Sequence, residues 1–143
     1  MTPKYAWGNI SQFIPNKIIW EPFYGDGTSG KHLQDLGFTV IHKNENFFVQ
    51  NHGEIIVTNP PFSITKQILA RLKMLNKPFI LIMPISKINT DYMRRLFKNE
   101  LQIIIPKKRI SFMKHGKYVG RANFDCFYYC WKIGLNHDIT WLS

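Results

Sequence analysis

A chain of 143 residues with 45% hydrophobic content holds one domain, residues 1–143, around one core and leaves no room for a second. Nineteen Lys and Arg against nine Asp and Glu give a net charge of +10, which favours a polyanionic partner, DNA or RNA before an acidic membrane surface. Two cysteines, Cys126 and Cys130, exclude a disulfide framework or a zinc cage, so no metal is expected; no stretch approaches the roughly 20 apolar residues of a membrane span, and Met1 to Trp7 lacks the apolar run of a signal peptide, so the chain is expected to be intracellular.

Lys17 to Phe23 reads as a short buried strand, and the run Gly25 to Gly30 forces a tight turn behind it. A helix should follow, with Thr28 or Ser29 as its cap, Leu33 and Leu36 on its inner face and Gly37 just past its end. Phe38 to His42 is a second strand and Glu54 to Asn59 a third, stopped by Pro60 and Pro61, which cannot donate ladder hydrogen bonds. Ser63 then caps a helix running to Asn76, since Ile64, Ile68, Leu72 and Leu75 recur at helical spacing. Phe79 to Met83 is the most apolar strand and is expected at the sheet's centre. Asn89 or Thr90 caps a further helix, and strands over Leu101 to Phe112 and Phe124 to Ile133 close the chain. Strands alternating with helices predict an α/β fold with parallel strands, and the final pair predicts an antiparallel edge.

Two segments carry chemistry. Gly25, Gly27 and Gly30 spell G-x-G-x-x-G between a strand and a helix, a turn against which a nucleotide-like ligand can lie. Glu45 follows 20 residues after Gly25, roughly where dinucleotide-binding folds keep a ribose-binding acid, so a nicotinamide enzyme stays open on this motif alone. The second segment, Asn59-Pro60-Pro61-Phe62, falls at a strand's carboxyl end, where open α/β sheets bind ligands. Its prolines fix the backbone, and the Asn59 side-chain oxygen and the Pro60 carbonyl can both accept from one NH₂ group. An adenine amine is a poor nucleophile because its lone pair is delocalised. Two acceptors on its hydrogens pull the nitrogen towards tetrahedral geometry and oppose the positive charge that grows during attack. Phe62 offers a face on which the base can stack.

Glu21-Pro22-Phe23-Tyr24-Gly25-Asp26-Gly27 together with Asn59-Pro60-Pro61-Phe62 resembles the S-adenosylmethionine-dependent amino-methyltransferases, specifically the DNA adenine-N6 branch. The resemblance covers most of the chain and implies a Rossmann-like class I methyltransferase sheet, mostly parallel with an antiparallel C-terminal strand pair. It implies S-adenosylmethionine as cofactor, with Thr2, Pro3 and Tyr5 lining its methionine end and Glu21, Phe23, Gly25 and Gly27 forming its floor. Asn46 and Phe47 fall where the family has Asp-Phe against the cofactor's adenine ring, and Glu45 is the nearby carboxylate for the ribose. Asn46 departs from the pattern as an amide in place of a carboxylate, which implies a weaker grip on the cofactor. Related cytosine-N4 and protein-glutamine enzymes use similar tetrapeptides; Asn in the first position favours adenine over cytosine, and Phe62 with the +10 charge disfavours glutamine.

Lys107, Lys108 and Arg109 interrupt the strand expected over Leu101 to Phe112, and Lys114, His115, Lys117 and Arg121 crowd the turn before the last strand. A hairpin so loaded suits phosphate contacts, which position a nucleic acid without reading its sequence. Enzymes of the family with sequence specificity usually carry a target-recognition domain, for which this chain has no segment. Loose specificity, or a partner subunit or second copy that supplies it, is therefore expected. A catalytically weak or silent nucleic-acid-binding subunit is the alternative to an enzyme.

Overall fold

A computed structural model of the protein describes residues 1–114, 117–118 and 125–143, with residues 113, 114, 117 and 118 described as backbone. In chain order come α1 (Lys4–Gly8), a 3-10 turn (Ser11–Phe13), β1 (Ile19–Trp20), α2 (Thr28–Asp35), β2 (Val40–Ile41) and β3 (Ile55–Thr58). A second 3-10 turn (Phe62–Ile64) leads into α3 (Thr65–Leu75), then β4 (Phe79–Pro84), a third 3-10 turn (Ile85–Asn89), α4 (Asp91–Phe97) and β5 (Leu101–Ile105). A small hairpin of β6 (Met113–Lys114) and β7 (Lys117–Tyr118) precedes β8 (Cys126–Trp131) and β9 (Ile139–Trp141).

Seven strands form one sheet in the order β2-β1-β3-β4-β8-β5-β9. Every neighbouring pair is parallel except those of β8, which runs antiparallel to both β4 and β5. This is the Rossmann-like α/β sheet expected from the sequence, with β4 at its centre. The antiparallel strand is interior, however, and the edge is β9, parallel to β5. β8 supplies two apolar faces, as an interior strand must: Tyr128 and Cys130 pack on one side, Tyr129 and Trp131 on the other, all buried.

The core lies in two layers. Ile55, Val57, Ile80 and Ile82 face Trp7 of α1 and Leu33 of α2, whereas Ile56, Phe79, Leu81 and Met83 face Ile68, Leu69 and Leu72 of α3 and Met93 and Phe97 of α4. Period-two alternation with apolar residues at both phases is what helices on both faces of a sheet require. Both cysteines are buried, neither forms a disulfide, and burial pushes each thiol up to about 12, so neither is a nucleophile.

Several boundaries differ from expectation for identifiable reasons. The strand expected over Lys17 to Phe23 shrinks to two residues because Pro22 cannot extend its ladder. The strand from Leu101 stops at Ile105 because Pro106 follows, so Lys107 to Arg109 lie in a loop. The cap of α2 is Gly27, at φ +82°, in place of Thr28 or Ser29, with Asp26 Oδ1 accepting from the Thr28 N–H at 3.0 Å. Ser63 sits inside a 3-10 turn and α3 begins at Thr65, while Thr90 caps α4 as expected, accepting from Met93 N–H.

Candidate active site

The chain leaves β1 through α2 on one face to reach β2, then returns across β1 to β3 and crosses through α3 on the other face to β4. Strand order therefore reverses between β1 and β3. At such a switch point the two crossover connections diverge and open a crevice at the strands' carboxyl ends. Glu21 to Gly27 leave β1 at that crevice, Asn59 to Phe62 leave β3, and Ile85 to Asn89 leave β4 beside them. The loop Pro106 to Arg109 leaves β5, which points the same way.

Glu21 is 2% exposed, one residue past β1. Thr58 Oγ1 donates to its Oε1 at 2.5 Å and Phe23 N–H donates to the same oxygen at 2.9 Å. Those donors favour the carboxylate, but burial outweighs them and raises the group from 4.5 to about 8. Burial therefore favours the neutral acid at Glu21, and a cation brought beside it would favour the carboxylate. A buried acid beneath a ligand crevice is a place for a cation to be met by a countercharge.

Asn59 stands one residue past β3. Its Nδ2 donates to Thr2 Oγ1 at 2.9 Å, which fixes the amide with its oxygen on the other side, and that Oδ1 is buried without a hydrogen-bond partner among the described residues. Leaving such an acceptor unpaired costs about 1–3 kcal/mol. Pro60 lies two residues beyond the last β3–β4 ladder pair, Thr58 with Leu81, so its carbonyl is not consumed by β4. Pro61 is exposed and Phe62 half-buried. The structure thus joins Thr2 to Asn59, and Pro3 caps α1 in an extended conformation. Tyr5, 49% exposed, accepts from Ser111 N–H at 2.8 Å, so the N-terminal segment bridges from β3's end to the loop after β5.

Gly25 and Gly27 both adopt positive φ, +57° and +82°, in the turn after β1. A Cβ on Gly25 would meet nothing closer than Phe23 O at 4.0 Å, so the turn is open there, whereas one on Gly27 would press on the Tyr24 hydroxyl at 2.8 Å. A groove of about 680 Å³ opens beside the turn, lined by Tyr24, Asp26, Gly27, Lys31 and His42; Asn59 is not among its lining residues. Phe23 packs on Phe47 at 4.9 Å, and Phe47, 3% exposed, also meets Trp20 at 5.5 Å. Asn46 is exposed and its Oδ1 accepts from Phe48 N–H at 2.9 Å, while Glu45 engages His52 at 3.1 Å. The Asn46-Phe47 pair is thus held within its own loop, the ring turned into the core.

Three residues that sequence reasoning passed over support this constellation. Thr58 holds Glu21; the signal was a polar residue ending an apolar strand. Arg71 donates to Phe47 O at 3.0 Å and Gln50 O at 2.7 Å and pins that loop to α3; the signal was an arginine between Ile68 and Leu72 on an apolar helix. Lys87 donates to Phe62 O at 3.4 Å from the turn after β4, and no sequence pattern marked it.

Of the expected phosphate contacts, Lys107, Lys108 and Arg109 are exposed at the crevice end of the sheet, and Arg109 pairs with Asp125 at 2.9 Å. Lys114 and Lys117 lie on the β6–β7 hairpin, where only backbone is described, and His115 and Arg121 lie outside the described residues. Among the described residues no group of three His, Cys, Asp or Glu is placed to hold a metal, and no helix is long and apolar enough to cross a membrane.

No protein-family model matches the sequence, and a search of curated proteins gives no significant match. Among solved structures, the whole chain aligns with 66% of a Listeria monocytogenes protein assigned to the class I S-adenosylmethionine-dependent methyltransferases, at TM-score 0.48 and 12% identity. The chain therefore spans slightly less than two thirds of that protein's length. Ninety per cent of it aligns with 79% of a Pyrococcus horikoshii protein assigned as an RNA methyltransferase, at TM-score 0.45 and 11% identity. Neither likeness assigns a reaction or a residue role to this chain.

Proposed function

We propose that the chain transfers a methyl group from S-adenosylmethionine to the exocyclic N6 amine of adenine in a nucleic acid, with DNA the favoured substrate and RNA the other. The observation that carries this reading is the Asn59 Oδ1: a buried acceptor with no donor among the described residues, held in orientation by Thr2, at the switch point of an α/β sheet. At a ligand crevice such an acceptor is a place where a ligand can supply the missing hydrogen bond. An aromatic amine supplies it. Asn59 Oδ1 and the Pro60 carbonyl each take one N–H, which redirects the nitrogen lone pair away from the ring.

The residues present fit the cofactor. The turn at Gly25 has no Cβ to fill it, and Glu21 is a buried acid that a cationic methionine end, lined by Thr2, Pro3 and Tyr5, would draw into its carboxylate form. When bound, the cofactor supplies a methyl carbon activated by sulfonium, and alignment within about 3 to 3.5 Å of the amine is then the protein's main task. Phe62 provides the stacking face for the base, and Lys107, Lys108 and Arg109, with Lys114, His115, Lys117 and Arg121 of the hairpin region, provide the cations that hold the backbone.

A second reading, a weak or silent nucleic-acid-binding subunit, is favoured by one observation. The Asn46 amide oxygen already accepts from Phe48 N–H and the Phe47 ring is turned into the core, which leaves fewer contacts for the cofactor's adenine. Titration calorimetry with S-adenosylmethionine separates the two: the enzyme reading expects one saturable site on the isolated chain or on the chain with its partner, and absence of heat in both overturns it.

A further inference from the structure

Lys87 sits in the turn that leaves β4, the strand beside β3, so its side chain reaches across from one carboxyl strand end to the next. There Nζ donates to the carbonyl of Phe62, the last residue of the amine-binding tetrapeptide, at a long 3.4 Å. That carbonyl is already satisfied by Thr65 Oγ1 at 2.8 Å, so releasing Lys87 leaves no acceptor stranded. Among the described residues no carboxylate stands within ion-pair distance of Lys87, whereas Lys4, Lys73 and Arg109 each have one.

Its backbone, by contrast, is fixed. Thr90 Oγ1 donates to the Lys87 carbonyl at 2.8 Å while capping α4, and Tyr129 OH donates to the Pro84 carbonyl at 2.7 Å, anchoring the strand end from which the turn departs. A half-buried ammonium on a rigid base, weakly held by an acceptor that does not need it, is poised to exchange that acceptor for an arriving anion. The anion must come with whatever stacks on Phe62.

We infer that Lys87 contacts the phosphodiester flanking the target base, and so marks the substrate as a nucleotide within a chain in preference to a free nucleoside or a protein amide. The inference rests on the adenine reading above. It assigns Lys87 as a substrate-contact residue acting in ground-state binding, with the backbone phosphate as its ligand and no part in the proton or methyl transfer.

The test is a double-mutant cycle between protein and nucleic acid. Methyl transfer is measured for wild type, Lys87→Met and Lys87→Arg on an oligonucleotide, on the same oligonucleotide with neutral methylphosphonates flanking the target adenine, and on free deoxyadenosine. Wild type should lose about tenfold or more in kcat/KM, mostly through KM, when the phosphates are neutralised. Lys87→Met should show that loss already on the natural oligonucleotide, show little further loss on the methylphosphonate, and lose far less on deoxyadenosine than on the oligonucleotide; Lys87→Arg should restore most of the affinity. Equal sensitivity to the methylphosphonate in wild type and Lys87→Met overturns the inference, as does an equal loss on deoxyadenosine, which would mark a structural role through Phe62. Absence of methylation by wild type on every substrate instead overturns the adenine reading itself.

Discussion

Replacing Glu21 with glutamine keeps the shape of the buried side chain and its accepting oxygen for Thr58 and Phe23, but removes the group that titrates. In the unfolded chain the carboxyl ionises near 4.5; in the folded protein burial holds it neutral up to about 8. Between those values the unfolded state binds fewer protons than the folded one, so wild-type stability falls as pH rises through the window and levels off outside it. At about 1.4 kcal/mol for each pH unit the full difference is on the order of 5 kcal/mol. That is comparable with the lower end of the total stability of a domain, about 5–15 kcal/mol. Urea unfolding of wild type and Glu21→Gln at intervals from pH 5 to pH 8 should give curves that diverge, the variant gaining several kcal/mol on wild type by the alkaline end. Parallel profiles would refute the reasoning, since they would mean that Glu21 ionises in the folded protein as easily as in water.

Gly27→Ala places a Cβ against the Tyr24 hydroxyl at a residue with φ +82°, and the left-handed conformation alone costs roughly 1–2 kcal/mol; the melting temperature should fall by several degrees and cofactor affinity with it, read by calorimetry. Asn59→Ala should leave the fold and most nucleic-acid affinity intact yet lower kcat by about 10²–10³, the usual effect of removing one hydrogen bond to a transition state, and unchanged turnover would remove Asn59 from the mechanism. Neutralising Lys114, Lys117 and Arg121 together should weaken nucleic-acid binding and reduce the slope of log K against log salt by roughly one for each phosphate no longer engaged, whereas an unchanged slope would place the phosphate-binding cations elsewhere.

The alternation of elements was legible because buried strands and amphipathic helices leave different periods, and each of the six strands and three helices expected overlaps an observed one. What escaped was set by tertiary contact. α1 is five residues long with no amphipathic repeat; it is held by the Tyr128 hydroxyl, which donates to Ala6 O at 2.6 Å from the far end of the chain. β9 exists because β5 offers it a ladder, and its exposed Ile139 and Trp141 give no buried phase to read. The interior position of β8 likewise depends on the β4–α4–β5 crossover leaving a place between those two strands, which no local pattern encodes.

Within the site, residue types were legible and their pairings were not. Asn59 and the glycine turn announce themselves by prolines and glycines whose backbone demands are local. The Thr58 hydrogen bond to Glu21 spans 37 residues and closes only when β1 and β3 lie side by side, and the Thr2 hydrogen bond to Asn59 spans 57 and closes only when the N-terminal segment docks at the end of β3. Asn46 adds a local constraint that its place in the sequence did not show: the Phe48 N–H two residues on takes one lone pair of its oxygen.

Methyl-labelled S-adenosylmethionine incubated with the protein and a panel of single- and double-stranded DNA and RNA, followed by nucleoside mass spectrometry, tests the central claim most directly. The expected result is label recovered as N6-methyladenine with wild type and reduced by about 10²–10³ in rate with Asn59→Ala. Label found on cytosine or on protein, or equal N6-methyladenine from both proteins, would contradict it.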